Sequence, residues 1–268
     1  MSLLKTTADF LVVIMSLIFL SPVGILIHIL RFFGLKKPMS LVTYKIAQTW
    51  SRLLIKYTGC RLTVRGQEHI PPTGGLCLVS NHGSIFDILL LLALVNRPVG
   101  FIAKKELAFV PFLNIWIFLL GGFFIDRKNI RRALKTINAG INRIKEGGAV
   151  IIFPEGTRSK GRGLLPFRSG AFKLATQSCV PLVPIAITGS YEVFEKTRRV
   201  RPVPVQVTFS PPIMTAELSA EERRKHLANQ VRDIISAAID QSAIPQAPPQ
   251  EIPSGQGLDS GSREGRLD

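Results

Sequence analysis

From residue 61 onward, short apolar runs alternate with stretches of helical periodicity. The runs fall at 62–64, 76–79, 99–103, 123–125, 149–153, 182–187 and 203–209, which predicts about seven strands. Several are apolar at every position, as strands covered on both faces must be. Between them, Ile130, Ala133, Leu134, Ile137, Ile141 and Ile144 keep a helical stripe, while Lys128, Arg131, Arg132, Lys135, Arg143 and Lys145 make the rest of that helix basic. Near the C-terminus Ser219 and Glu222 form a capping-box pattern ahead of Leu227, Val231, Ile234 and Ala238, which marks a last amphipathic helix. Strands alternating with helices imply an α/β sheet.

Two stretches are apolar without being strands. Residues 10–30 carry no charge when His28 is neutral and are long enough to cross a membrane. Ser21-Pro22-Val23-Gly24 is expected to break or kink a helix there, leaving two arms each too short to span. A kinked or paired-helix anchor dipping into one leaflet and a true span both fit the pattern. The run 107–120, with Pro111, Asn114 and Trp116 inside it, is too short to span; it either rests on a membrane or packs as a buried helix on the sheet. Residues 243–268 are rich in Pro, Gln, Gly and Ser and are expected to be disordered.

The absence of a Pro/Gly/Ser-rich break between residues 60 and 210 favours one domain over most of the 268 residues. The division expected is 1–57 for an anchoring segment, 58–242 for the α/β domain and 243–268 for the tail. A formal net charge of +16 suits nucleic acid, a polyanionic substrate or an anionic membrane surface. Its apolar company favours the membrane, and base-stacking aromatic positions are not evident. Cys60, Cys77 and Cys179 fit neither a disulfide framework nor a zinc site, and are expected to be reduced and mostly buried.

Four polar clusters follow four of the apolar runs: Asn81-His82, Lys104-Lys105-Glu106, Asp126-Arg127, and Pro154-Glu155-Gly156-Thr157-Arg158. Ligands gather beyond the carboxyl ends of strands in open α/β sheets, so the clusters predict one convergent site holding a base, a carboxylate and several cations. His82 and Asp87 can make an alcohol nucleophilic, the imidazole taking its proton and the carboxylate fixing the tautomer. Residues five apart on a regular helix point about 140° apart, so His82 must precede the helix. Gly83 permits a turn and Ser84 can cap a helix whose third residue is Asp87. The blander alternative is a plain capping pair beside a loop histidine. Glu155 through Arg158 offers backbone donors, a hydroxyl and a guanidinium to a phosphate, or else is an ordinary strand-to-loop turn. Of Lys104 and Lys105, at most one faces the site.

In this order and spacing the four motifs resemble those of the glycerolipid acyltransferase superfamily, most closely bacterial 1-acylglycerol-3-phosphate acyltransferases. The likeness covers residues 60–215. Asn81-His82-x4-Asp87 resembles the catalytic block. Lys104-Lys105-Glu106-Leu107 with Pro111, then Gly121-x2-Phe124-Ile125-Asp126-Arg127, resembles the second. Phe153 through Ser159 resembles the third, and Val183-Pro184-Ile185-Ala186-Ile187 a fourth, associated with acyl-chain binding. After Pro166-Phe167 the chain reads Arg168-Ser169-Gly170, where the family often has consecutive basic residues.

The resemblance implies a mixed, largely parallel sheet flanked by helices, preceded by a hydrophobic helical membrane anchor. It implies His82 and Asp87 as catalytic residues, with Lys104, Arg127, Glu155, Gly156, Thr157 and Arg158 binding substrate. The expected acceptor is lysophosphatidic acid, the donor acyl-CoA or acyl-carrier protein, and the place the cytoplasmic face of the inner membrane. A related acceptor, glycerol 3-phosphate or a lyso-aminolipid, fits the same motifs. No metal, other cofactor or nucleic acid is expected: the histidines are too scattered for a metal cluster, and no Gly-x-Ser-x-Gly elbow supplies an enzyme nucleophile. The rival of another class is a non-catalytic basic protein binding anionic membranes or nucleic acid.

Overall fold

A computed structural model describes residues 3–242, so the expected C-terminal tail lies outside the described residues. Two helices, α1 (Leu3–Phe32) and α2 (Lys36–Thr58), lead into β1 (Arg61–Arg65), β2 (Leu76–Ser80), α3 (Phe86–Leu94), β3 (Val99–Lys104), α4 (Leu113–Leu119) and β4 (Phe123–Ile125). Then follow α5 (Ile130–Lys145), β5 (Ala149–Ile152), α6 (Lys173–Ser178), β6 (Pro181–Thr188), α7 (Ser190–Val193), β7 (Pro204–Phe209), β8 (Ile213–Met214) and α8 (Leu227–Ser242). All seven expected strands are present. The two-residue β8, close behind Pro211-Pro212, is the addition.

The strands form one mixed sheet in the order β1-β7-β6-β2-β5-β3-β4, with β8 paired to β6. From β6 through β2, β5 and β3 to β4 every pairing is parallel. β7 and β8 run antiparallel to β6, and β1 pairs in parallel with β7. Alternation along the strands divides the core between two faces. Leu76 and Leu78 pack with Leu90, Leu91 and Tyr44 from α3 and α2; Cys77 and Val79 pack with Ile141, Leu174 and Leu227 from α5, α6 and α8. Fully buried strands apolar at every position are the consequence.

Of the break or kink expected in α1, the break does not occur, since the helix continues through Pro22. Both arms are held from outside. Trp50 Nε1 of α2 donates to Ser16 Oγ at 2.9 Å and Tyr57 OH to Asp9 Oδ1 at 2.8 Å, while Gly24 lies against Ile115, Trp116 and Leu119. Packing on neighbours offsets the one backbone bond that proline forfeits. Thr7–Phe32 is the described helix long and apolar enough to cross a membrane, with a mean hydropathy of 2.8. The run 107–120 bears out neither single expectation: Trp116 is buried with α4 set against α1, yet Phe109 is 83% exposed and Phe118 is also exposed.

Three smaller expectations need correction. Along α5 only Gly140, Ile141 and Ile144 are buried, and Ile130 is 77% exposed, because the covered part of the helix is its second half, where Gly140 meets Leu174 of α6. In α8 the buried residues are Leu227, Val231 and Ile235 rather than Ile234, a spacing of four that keeps one row along the axis. Of the cysteines only Cys77 is fully buried; Cys60 is half-buried and Cys179 exposed.

Tyr44 OH and Gln48 Nε2 donate to the Val95 carbonyl at 2.8 and 3.0 Å, and Arg52 Nε donates to that of Ala93 at 3.1 Å. These carbonyls at the end of α3 have no intrahelical partner, so α2 satisfies them and puts positive charge at the negative end of the helix. The opposite end of α3 carries Asp87.

Candidate active site

Strands β2, β5, β3 and β4 are consecutive neighbours and parallel. Their four polar clusters therefore leave the same edge of the sheet, in the spatial order His82, Glu155 loop, Lys104, Arg127. Asn81 fixes the first exit. Its side-chain amide donates to the Ile187 carbonyl at 2.9 Å and accepts from the Ile187 N–H at 2.8 Å, extending the β2–β6 pairing by one side chain. His82 follows, with its backbone clamped from the β5 loop. Its N–H donates to Glu155 Oε1 at 2.8 Å, and its carbonyl accepts from the Ser159 N–H at 2.7 Å.

The His82 ring stacks on Phe153 with centroids 4.0 Å apart, and its Nδ1 lies 2.8 Å from Asp87 Oδ2. With the carboxylate as acceptor, Nδ1 carries the proton and the Nε2 lone pair is left for a substrate. The side chain is 15% exposed, whereas Asp87 is fully buried. Asp87 Oδ2 also accepts from the Ser84 N–H at 2.9 Å, and Ser84 Oγ accepts from the Phe86 N–H at 3.0 Å. Capping and orientation, alternatives in the sequence, coexist on one carboxylate. Its other oxygen, Oδ1, is buried without a hydrogen-bond partner among the described residues.

Glu155 is 3% exposed, and Oε2 accepts from the Leu165 N–H at 3.4 Å. Both oxygens thus face protein backbone, and this carboxylate ties the two loops together. Burial raises its carboxyl to about 7, the nearby Asp87 charge adding to the effect and the two backbone bonds opposing it. Gly156 has φ +70, and a side chain there would meet the Arg168 guanidinium. Its N–H donates to the Phe153 carbonyl at 3.0 Å, so that amide is committed to a turn. Thr157 is exposed and its N–H has no partner among the described residues.

The cations separate into paired and unpaired. Lys104 Nζ lies 3.4 Å from Glu106 and is well exposed; Lys105 Nζ turns onto Asp126 at 2.9 Å. That bond holds the Asp126 carboxyl below the usual carboxylate range. Arg158 Nη1 is 3.1 Å from Glu195 Oε1. Arg127 donates to the Gly156 carbonyl, and neither it nor Arg168 has an acidic partner among the described residues. Burial, then the charge of Arg168, lowers the Arg127 guanidinium from its ordinary value. A cavity of about 180 Å³ opens here, lined by Lys104, Lys105, Glu106, Ile125, Asp126, Arg127 and Lys128.

The acyltransferase family model matches residues 61–188. Over 172 residues the chain is 32% identical to the 1-acyl-sn-glycerol-3-phosphate acyltransferase of Salmonella typhimurium, covering 64% of this chain and 70% of that one. The chain belongs to the acyltransferase family. Its identity to the human 1-acyl-sn-glycerol-3-phosphate acyltransferase alpha is 38% over 174 residues, 63% of this chain and 61% of that protein. Against the relative from Cocos nucifera the match spans 63% of that length, so this family member covers about three fifths of the first two. The crystal structure of the 1-acyl-sn-glycerophosphate acyltransferase from Thermotoga maritima superposes with a TM-score of 0.78 at 25% identity, covering 92% of this chain and 98% of that one.

Two contributors went unread in the sequence of this acyltransferase-family chain. Asn81 was visible as part of a motif but not as a strand-pairing side chain. Glu195 stands in the run Tyr191-Glu192-Val193-Phe194-Glu195-Lys196, where nothing local separates it from the exposed Glu192, which pairs with Lys196 at 2.8 Å.

Proposed function

We propose that this protein transfers a fatty acyl group from an acyl thioester, of coenzyme A or acyl-carrier protein, to the 2-hydroxyl of 1-acylglycerol 3-phosphate, giving phosphatidic acid. The observation that carries the reading is the His82–Asp87 pair, with Nδ1 committed to a buried carboxylate and Nε2 left over, on the sheet edge that also carries a basic cleft. Nε2 takes the hydroxyl proton as the substrate oxygen attacks the thioester carbonyl, and the resulting imidazolium returns it to the departing thiolate. The nucleophile belongs to the substrate, so no acyl-enzyme forms. Arg127 holds the phosphomonoester, with Lys104 at the rim and Arg158 across the Glu155 loop; the Thr157 N–H serves the thioester oxyanion. Glu155 and Gly156 shape the loop that places them.

Residues 1–57 serve as the membrane anchor and 58–242 as the acyltransferase domain. Exposed Phe19, Phe32, Phe33 and Phe109 enter the cytoplasmic side of the inner membrane, and the surrounding cations meet its anionic headgroups. The site then sits where a single-chain lipid resides.

The test is transfer of labelled acyl groups from both donors to 1-acylglycerol 3-phosphate in detergent micelles, beside a panel of glycerol 3-phosphate and lyso-aminolipids. Phosphatidic acid formed by the intact protein and lost in His82→Ala is the expected result. Product only with another acceptor would reassign the substrate, and none from a folded protein would remove the activity.

A further inference from the structure

The segment after β6 closes over both loops of the site. Gly83 faces Ser190 and Tyr191, and the Tyr191 ring covers Gly161, where no side chain would fit. Glu195, just past α7, reaches in between. Its side chain is 10% exposed. Oε1 accepts from the Ile85 N–H at 2.8 Å and from Arg158 Nη1 at 3.1 Å; Oε2 accepts from Ser84 Oγ at 2.5 Å. A carboxylate so withdrawn from water is costly unless its oxygens are occupied, and here three donors occupy them, one of them a cation.

All three partners belong to the site. Ser84 and Ile85 are the turn that enters α3, and the Ser84 N–H is the donor that shares Asp87 Oδ2 with His82. Movement of that turn moves the carboxylate that orients the imidazole. Arg158 comes from the β5 loop, which clamps the His82 backbone through Glu155 and Ser159. Among the described residues, Glu195 is the acid paired with Arg158. Ser84 Oγ donates to Glu195 and accepts from the Phe86 N–H, so the hydroxyl links Glu195 directly to the start of α3.

We infer that Glu195 is a positioning residue, which locks the turn at Ser84–Ile85 against Arg158 and thereby holds Asp87 in register with His82. The consequence for the transfer rests on the function proposed above; the consequence for the His82–Asp87 bond does not. Glu195→Gln keeps the shape but replaces one acceptor by a donor facing Ser84 or Arg158. It is expected to lower kcat by about 10- to 100-fold, the range associated with misplacement of a catalytic group. Because Arg158 is released too, the acceptor KM also shifts, by less than kcat.

The experiment uses the full chain in detergent micelles and compares the parent with Glu195→Gln, Ser84→Ala and, as control, Glu192→Gln. Kinetics are read per folded molecule, and the downfield proton resonance of His82 Nδ1–H is recorded alongside. The expected result is a kcat loss with weakening of that resonance in Glu195→Gln, the same change to a smaller degree in Ser84→Ala, and none in Glu192→Gln. A Glu195→Gln protein with unchanged kcat and an intact resonance overturns the inference, as does a change confined to the acceptor KM. If Glu195→Gln does not fold, Ser84→Ala decides by the same two readings. A parent that shows the resonance but acylates no acceptor overturns the proposed reaction, and the resonance in the variants still judges Glu195.

Discussion

The His82 corner of the site and the Arg127 corner are built on β2 and β4, two strands of the same parallel set with β5 and β3 between them, yet follow opposite rules. At the first, Asn81, Asp87 and Glu155 are each less than a tenth exposed, and their hydrogen bonds run inward to named backbone groups. At the second, Lys104 is 61% exposed and its partner Glu106 nearly as open, so that pair is screened and holds neither side chain firmly. In the reaction proposed above, the difference divides the work. A proton transfer needs a base fixed to within a fraction of an ångström, whereas a phosphate is tolerant of which cations meet it, and when.

The largest break in this comparison is His82→Ala, expected to cut kcat roughly a hundredfold or more while leaving the melting temperature nearly unchanged. Near-normal turnover would refute the base. Asp87→Asn comes next, at about 10- to 100-fold in kcat with little change in acceptor KM. It also lowers stability, because the same oxygen caps the turn at Ser84. A variant that lost melting temperature alone would reduce Asp87 to its capping role.

At the open corner, Arg127→Ala should raise the acceptor KM by an amount equivalent to about 1.5 to 3 kcal/mol with kcat largely kept. An equal loss with a phosphate-free acceptor would contradict that assignment.

Stability against pH sharpens the contrast from the dry side. Glu155 titrates at about 7 in the fold against an ordinary 4.5, so the folded state binds the proton more tightly than the unfolded one. Its contribution is fully present below the unfolded value and disappears as pH rises through the folded one. Glu155→Gln should therefore show a smaller fall in melting temperature between about pH 5 and about pH 8 than the parent. Equal falls would place the titration elsewhere. The smallest effect belongs to Asn129, whose side chain accepts from the Arg132 N–H at 3.0 Å and caps α5. Asn129→Ala should cost about 1 kcal/mol in chemical denaturation and leave both kinetic constants alone.

Legibility in the sequence follows the same division. The seven apolar strands and the polar clusters at their ends were readable because burial on both faces and exit at one edge leave local marks. The turn Gly83-Ser84 and the placement of Asp87 were readable as alternatives, since capping and orientation use the same residue types. What escaped was set by distant partners. Pro22 predicts a break, but α2 and α4 hold the helix through it. The stripe on α5 predicts burial of Ile130, but the helix is covered only at its far end, around Gly140, Ile141 and Ile144. Arg158 reads as a phosphate ligand or a member of a local turn, and its partner Glu195 lies 37 residues along the chain.

Asn81 joins β2 to β6 across 106 residues of sequence. The dyad residues are therefore among the earlier parts of the α/β region to be synthesised, while the strand that braces them is among the later. A nascent chain ending short of Ile187 carries His82 and Asp87 without the brace, and the Glu195 clasp arrives later still. Long-range pairing of this kind closes slowly compared with helical contacts. Completion of the proposed site is thus tied to near-completion of the sheet, and premature termination is expected to yield fragments that lack it.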